Sequence, residues 1–273
     1  MLEICRELVH ILERGERGVL ATVVGSTGSI PGKAAARMLV RPDGTSLGTI
    51  GGGRLEAEVL AMAPRVLGDD RPILQGFQLT AREAEEIGIC GGVVQIFLEP
   101  IGSPVVHIFG AGHVGKTVAG LCLFAGFNVA VVDDREEFAC RERFPEPIRL
   151  LVSDFTSAFG MLTIGPDACI VIVTRDHVHD EQVLAGALRT PASYIGLIGS
   201  KTKVQASFKA LEAAGADPDR LRSVRAPIGL DIGARTCEEI AVSIAAELIA
   251  HRRRAFIKAD GPERNRERTQ PGA

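Results

Sequence analysis

The stretch "VVHIFGAGHVGK", residues 105–116, decides the fold. An apolar run leads into Gly110-x-Gly112-x-x-Gly115, and "GKTVAGLCLFAG" continues from it with helical spacing. A strand feeding a glycine turn that opens a helix is the context in which this short motif carries meaning. Bare backbone there lets N–H groups approach a diphosphate at the helix N-terminus, where the macrodipole favours an anion. The next apolar run, "NVAVVDD", ends at Asp133 and Asp134, and Asp133 lies 18 residues past Gly115, close to where an acidic residue meets a ribose hydroxyl. The alternative is that the glycines serve only a tight turn and close helix packing.

Toward the C-terminus the same alternation repeats: "IRLLVS", "ACIVIVTRD", "EQVLAGAL", "YIGLIGS" and "KVQASFKALEAAG". Strand and helix in turn predict a Rossmann-like α/β unit, a parallel sheet with helices on both faces. "TCEEIAVSIAAELIAHRRR" reads as its last helix, with Thr236 and Glu239 as a capping box and basic residues at the C-terminal end. Residues 259–273, "ADGPERNRERTQPGA", are polar and are expected to be disordered.

Toward the N-terminus the period changes. "EICRELVHILERG" is an amphipathic helix stopped by Gly15. "VLATVVG", "ARMLV", "TSLGTI", "ILQGFQL" and "VVQIFLEP" are short strands, with "RPDGT" a hairpin turn and "GRLEAEVLAMA" a helix after the triple glycine Gly51, Gly52 and Gly53. "EPIGSP" then breaks the chain. The expected organisation is a smaller mixed α+β domain over 1–102 and the Rossmann-like domain over 103–258.

Right-handed crossovers bring the ends of successive parallel strands to one edge, so the segments that follow them share a crevice. These carry Gly110, Gly112, His113 and Gly115; Asp133 and Asp134; Asp154; Arg175, His177, His179 and Asp180; and Ser200 with Lys201. The usual strand order puts His113 near His177 and His179. These histidines with Asp176 and Asp180 could bind a metal, with His177, His179 and Asp180 as the candidate set, or could position and protonate a ligand. The alternative makes Asp180 a helix cap and the histidines solvated loop residues.

Cys90 in "GICGGVV" sits in a glycine turn, where a sulfur can be presented to a ligand as a thiolate or sulfur carrier; a buried structural cysteine is the alternative. Ser26, Thr27 and Ser29 offer donors to a polar or anionic group, or make ordinary turns. The six cysteines include no C-x-x-C pair, which argues against a disulfide framework or a structural zinc site. A formal charge of -3 with dispersed basic residues excludes bulk attraction to nucleic acid. No apolar stretch approaches the length of a membrane span, and the start lacks the features of a leader, so a cytoplasmic protein is expected.

"GTIGGGRLE", "CGG" before a strand ending "EP", "HIFGAGHVG", "VDDR" followed by "RFP", "TRDHVHD", "YIGLIGSKTK" and "PIGLDIGARTCEEIAVSIAAELI", in this order, resemble the XdhC/CoxI family of xanthine and carbon monoxide dehydrogenase accessory factors. The resemblance runs from about Ala21 to about His251. It implies a maturation chaperone, not an enzyme with its own turnover, that holds the molybdenum cofactor as molybdopterin or its dinucleotide form. Sulfuration and insertion into a xanthine-dehydrogenase-type molybdenum hydroxylase would follow, with that client, a cysteine desulfurase and a second copy of the chain as partners. On this reading Cys90 is the catalytic sulfur and Gly51–Gly53 face the crevice of the large domain, enclosing the cofactor's two ends. The family's arginine after the proline is missing: Gly32 and Lys33 follow Pro31, and Lys33 is a point cation without a bidentate fork. The rival readings are an NAD(P)-dependent oxidoreductase and a regulatory nucleotide-binding module.

Overall fold

The computed structural model describes residues 1–26, 35–41, 43–79 and 92–253. Thr27, Ser29, Lys33, Cys90 and the expected tail 259–273 lie outside the described residues, as do the side chains of Ser26 and Lys201.

The N-terminal half begins with helix α1 (Leu2–Arg14), which ends at Gly15 in a left-handed conformation. Strands β1 (Gly18–Ser26), β2 (Arg37–Val40), β3 (Ser46–Thr49), β4 (Ile73–Leu79) and β5 (Gly92–Ile101) form an antiparallel sheet ordered β3-β2-β1-β5-β4. Register is set by pairs such as Ala21 with Met38 and with Leu98, and it slips between Val23 and Gly25. Alternation puts Val19, Ala21, Ile96 and Leu98 on one face, under helix α2 (Gly53–Asp69), while Leu20 and Leu39 meet α1 through Ile4 and Ile11. Helix α2 runs past Pro64, where the sequence predicted its end. A proline inside a helix costs about 3 kcal/mol, but Val59, Ala63 and Val66 all stay buried against the sheet, and that packing carries the helix on.

The C-terminal half holds β6 (Val105–Phe109), α3 (His113–Phe124), β7 (Asn128–Asp133), β8 (Arg149–Val152), β9 (Cys169–Ile172), α4 (His177–Ala187), β10 (Tyr194–Leu197), α5 (Lys201–Ala213), α6 (Pro218–Ser223) and α7 (Cys237–Arg252). Its strands are parallel, in the order β10-β9-β6-β7-β8. The first and fourth strands of this half are therefore neighbours, which is the switch point of a doubly wound sheet. Val106, Ile108, Val129 and Val131 pack on one face with Val118, Cys122, Ile244 and Leu248 of α3 and α7. Phe109, Ile170 and Ile172 pack on the other with Val183 and Leu184 of α4. The capping box of α7 forms as expected, with Glu239 N–H donating to Thr236 and the Glu239 carboxylate accepting from the Thr236 N–H. Burial pushes the Cys122 thiol up to about 12, and the Cys169 thiol is raised for the same reason, so both behave as core residues.

The halves meet at the amino edge of the parallel sheet. Arg17, 5% exposed, donates to Asp70 at 2.6 Å, to Asp167 at 3.1 Å and to the carbonyl of Leu67. Arg253 adds a bond to Asp70, and Arg149, at the start of β8, donates to the carbonyls of Glu13 and Arg14. Two cavities of about 660 and 670 Å³, both lined by Arg17, open along this seam.

Candidate functional site

The glycine turn after β6 is built by close backbone packing. Gly110 has φ +112°, and a Cβ on it would lie 2.3 Å from the carbonyl oxygen of Val173; one on Gly115 would lie 1.9 Å from that of Gly110. Neither position admits a side chain. Gly112, the N-cap of α3, has open space where its Cβ would be, and among the described residues no side chain caps the helix there. The first-turn N–H groups of α3 thus face an open surface, the arrangement that holds a phosphate.

The peptide of Ala111 is gripped at both ends. Its N–H donates to Asp133 Oδ2 at 2.7 Å, and its carbonyl accepts from Arg143 at 2.9 Å. Asp133 is fully buried and also takes a bidentate pair from Arg135. The guanidinium of Arg135 lies 3.6 Å from the centre of the Phe138 ring, with that of Arg143 5.0 Å from it. Asp133 is therefore spent on shaping the turn, and the acid open to a ligand at this strand end is Asp134. The sequence places Arg135 in the crevice segment that runs from Asp133 without giving it a partner, and it gives Phe138 and Arg143 no site role, although "RFP" contains Arg143.

Across the switch point the β9 end is a network. Arg175 makes a bidentate pair with Asp134, at 2.5 and 2.8 Å, which holds the Asp134 carboxyl at about 2, well below its usual range. Its Nη2 lies 2.8 Å from His179 Nε2, while His179 Nδ1 lies 2.7 Å from Asp176 Oδ1. An arginine can only donate, so in this arrangement Nε2 accepts from Arg175 and Nδ1–H donates to Asp176. Asp176, not Asp180, caps α4, accepting from the N–H groups of Val178 and His179. Burial raises the Asp180 carboxyl, partly offset by bonds from the Thr174 hydroxyl and N–H.

The expected metal set of His177, His179 and Asp180 does not assemble. Asp180 faces Thr174, both nitrogens of His179 are engaged, and among the described residues no group of three His, Cys, Asp or Glu is placed to hold an ion. His113 and His177 are exposed at the crevice rim. Ser200 accepts from the Lys203 N–H as the N-cap of α5.

The triple glycine is elsewhere. Gly51, Gly52 and Gly53 have φ of +135°, +82° and +59°. The Glu56 carboxylate folds back over them, accepting from the Thr49 hydroxyl at 2.6 Å and from the N–H groups of Ile50 and Gly52. Burial raises that carboxyl, but these bonds outweigh it and leave the group below its ordinary value. The C-terminal end of α2, at Leu67 and Asp70, touches the Arg17 seam. Its 17 residues put the glycines about 25 Å away at the other end. The crevice lies at the opposite, carboxyl edge of the parallel sheet. The small sheet docks at the amino edge of the parallel sheet, so the docking itself does not bring Gly51–Gly53 to the crevice. The two seam cavities also lie away from the glycine turn, and the turn's chemistry marks the site better than their volume does.

Residues 106–248 match the family described as the XdhC Rossmann domain, and residues 11–78 match the XdhC and CoxI family. The chain is 34% identical over 251 residues to the uncharacterized protein YqeB of Escherichia coli, covering 91% of this chain and 46% of that protein. It is 31% identical over 160 residues to a Bacillus subtilis protein described as a probable xanthine dehydrogenase subunit, covering 59% of this chain and 46% of that one. It thus spans about half the length of these two relatives. It is 22% identical over 292 residues to the molybdenum cofactor insertion chaperone PaoD of Escherichia coli, covering 91% and 88%. A solved Bacillus halodurans protein, described as a xanthine dehydrogenase, shares the fold over 95% of this chain and 97% of its own, with a TM-score of 0.51 and 22% identity.

Proposed function

The chain belongs to the XdhC and CoxI family, and from that premise we propose that it is an accessory factor that binds the molybdenum cofactor and supports its sulfuration and insertion into a xanthine-dehydrogenase-type hydroxylase. The observation that carries this reading is the uncapped N-terminus of α3 behind the open Gly112, on a turn that Asp133 and Arg143 hold from both sides. The similarity to a relative named as a molybdenum cofactor insertion chaperone supports it.

The residues present fit the phosphate-bearing part of such a ligand. Gly112 and the first turn of α3 offer N–H donors, Arg175 offers a guanidinium, and Asp134 offers an acceptor for a ribose hydroxyl when the ligand carries a nucleotide. When bound, the cofactor supplies the molybdenum centre; these side chains bind and orient it. On this reading the two glycine-rich turns of one chain do not share a ligand. A cofactor held by both would be held between two copies, in line with the homodimer expected from the sequence.

Cys90 remains the candidate sulfur-handling residue, with a cysteine desulfurase and the client hydroxylase as partners in the cytoplasm. Among the described residues no helix is long and apolar enough to cross a membrane.

The test offers molybdenum cofactor, NAD(H) and NADP(H) separately to the purified protein and follows the melting temperature, since a ligand that binds only the folded state raises it. A rise with the cofactor, absent in Gly112→Val, is the expected result. A rise with a nicotinamide nucleotide alone would overturn the reading in favour of an oxidoreductase or regulatory module.

A further inference from the structure

We propose that the Arg175–Asp134 ion pair is a strap across the switch-point crevice that a diphosphate-bearing ligand replaces, Arg175 passing from Asp134 to the ligand and Asp134 being released toward its ribose. The inference rests on the crevice reading above.

Its basis is topological. Asp134 follows β7 and Arg175 follows β9, the two strands that flank β6, so a bond between them passes over the end of β6, where Gly110, Ala111 and Gly112 form the turn. A ligand that lies across the carboxyl edge, one part over β7 and the other over β9, follows the same line as the strap. Both cannot occupy it.

The components suit an exchange. The pair is partly open to solvent, with side-chain exposures of 34% and 28%, so water screens it and a ligand can reach both partners. Arg175 is held in place by partners that do not depend on Asp134: His179 Nε2 at 2.8 Å, and Asp176, whose Oδ2 lies 3.7 Å from its Nε. His179 is itself fixed by its bond to Asp176 and by the edge of the Phe155 ring at 5.5 Å between centroids. The guanidinium therefore keeps its place at the crevice when Asp134 leaves. Asp134 in turn keeps a cation nearby, since Arg135 Nε lies 3.8 Å from its Oδ1. A diphosphate carries more charge than one carboxylate and presents oxygens that match the planar fork of an arginine. Substitution of one acceptor for the other leaves no buried charge without a partner.

The experiment is calorimetric titration of inorganic pyrophosphate into the wild type, Asp134→Asn, Arg175→Gln and the double variant. Asp134→Asn removes the competitor and should bind about 2- to 5-fold tighter, the fold-change that corresponds to losing an exposed ion pair. Arg175→Gln should bind about 10-fold more weakly. In the Arg175→Gln background, adding Asp134→Asn should bring no gain. An equal gain in both backgrounds would mean that Asp134 acts only through long-range charge, and would overturn the strap. A second titration with ADP tests the release of Asp134: its gain from Asp134→Asn should be smaller than that of pyrophosphate, and an equal gain overturns that part. Pyrophosphate that binds, is lost in Gly112→Val and ignores both strap substitutions sinks the strap alone. Failure of every natively melting variant to bind it sinks the crevice reading as well.

Discussion

His107 lies in the central strand of the parallel sheet, between Ala130 of β7 and Ile170 of β9. It is 3% exposed, and among the described residues neither ring nitrogen has a hydrogen-bond partner. Burial, helped by the charge of Arg149, lowers its pKa from 6.5 to about 4. In the window between those values the unfolded chain binds a proton that the folded chain refuses, so stability is complete above about pH 6.5 and falls as the pH drops toward about 4. The difference of about 2.5 units amounts to about 3 kcal/mol at full effect, and to about 2 kcal/mol at about pH 5. The perturbation is His107→Leu, which removes the titration and fills the site with an apolar group. Urea unfolding followed by circular dichroism at about pH 7.5 and about pH 5 should show the wild type losing about 2 kcal/mol more than the variant. Carboxylates titrate in both proteins and cancel in the comparison. Parallel losses in the two proteins across this window would refute the buried, unpartnered reading of His107.

Gly115→Ala should lose pyrophosphate binding and about 2 kcal/mol of stability, read by titration and thermal melting, because its Cβ would enter the Gly110 carbonyl; native values for both would mean that the turn relaxes freely. Asp133→Asn keeps an acceptor for Ala111 but loses the charge that holds Arg135, and should lower stability by about 1 to 3 kcal/mol in denaturant melts. An unchanged midpoint there would remove Asp133 from the support of the turn. Arg17→Met takes the cation from Asp167 and leaves Asp70 with Arg253 and Arg252, so the melting curve should shift down by the equivalent of about 1 to 3 kcal/mol.

From Val105 onward the fold was legible because parallel strands covered on both faces read as unbroken apolar runs, as in β6, β7 and β9, with helices between them. That the first and fourth strands of this half are neighbours was expected from the usual order of a doubly wound sheet, and the parallel sheet has them so. Helix α6, at six residues, is too short for periodicity to register, and the helix read over "GRLEAEVLAMA" stops at Ala63 because local preference cannot anticipate the burial of Val66 beyond Pro64. The roles of crevice residues were less legible for a different reason. Arg143 reaches Ala111 across 32 residues and Arg175 reaches Asp134 across 41, and the sequence names both ends of each pair without saying that they meet. Asp133 and Asp134 are adjacent and chemically identical. Strand alternation alone sends one inward to Ala111 and the other outward to Arg175.

The placement of the small sheet was the least legible feature, and it changes what the triple glycine means. Nothing in the local pattern says which edge of a parallel sheet a second half will dock against; here Arg17 decides it, through Asp70 and Asp167, 53 and 150 residues away. With α2 standing between that seam and Gly51–Gly53, the glycines need an account that does not invoke the crevice of their own chain. Their backbone supplies one. Three consecutive positive φ values turn the chain from β3 into α2, and Glu56, lying over the turn, accepts the N–H of Gly52 and occupies the position an anion would take at that helix start. A side chain at Gly52 or Gly53 would meet open space but would be forced into a left-handed conformation. The glycines are therefore required by the turn whether or not a ligand ever reaches it.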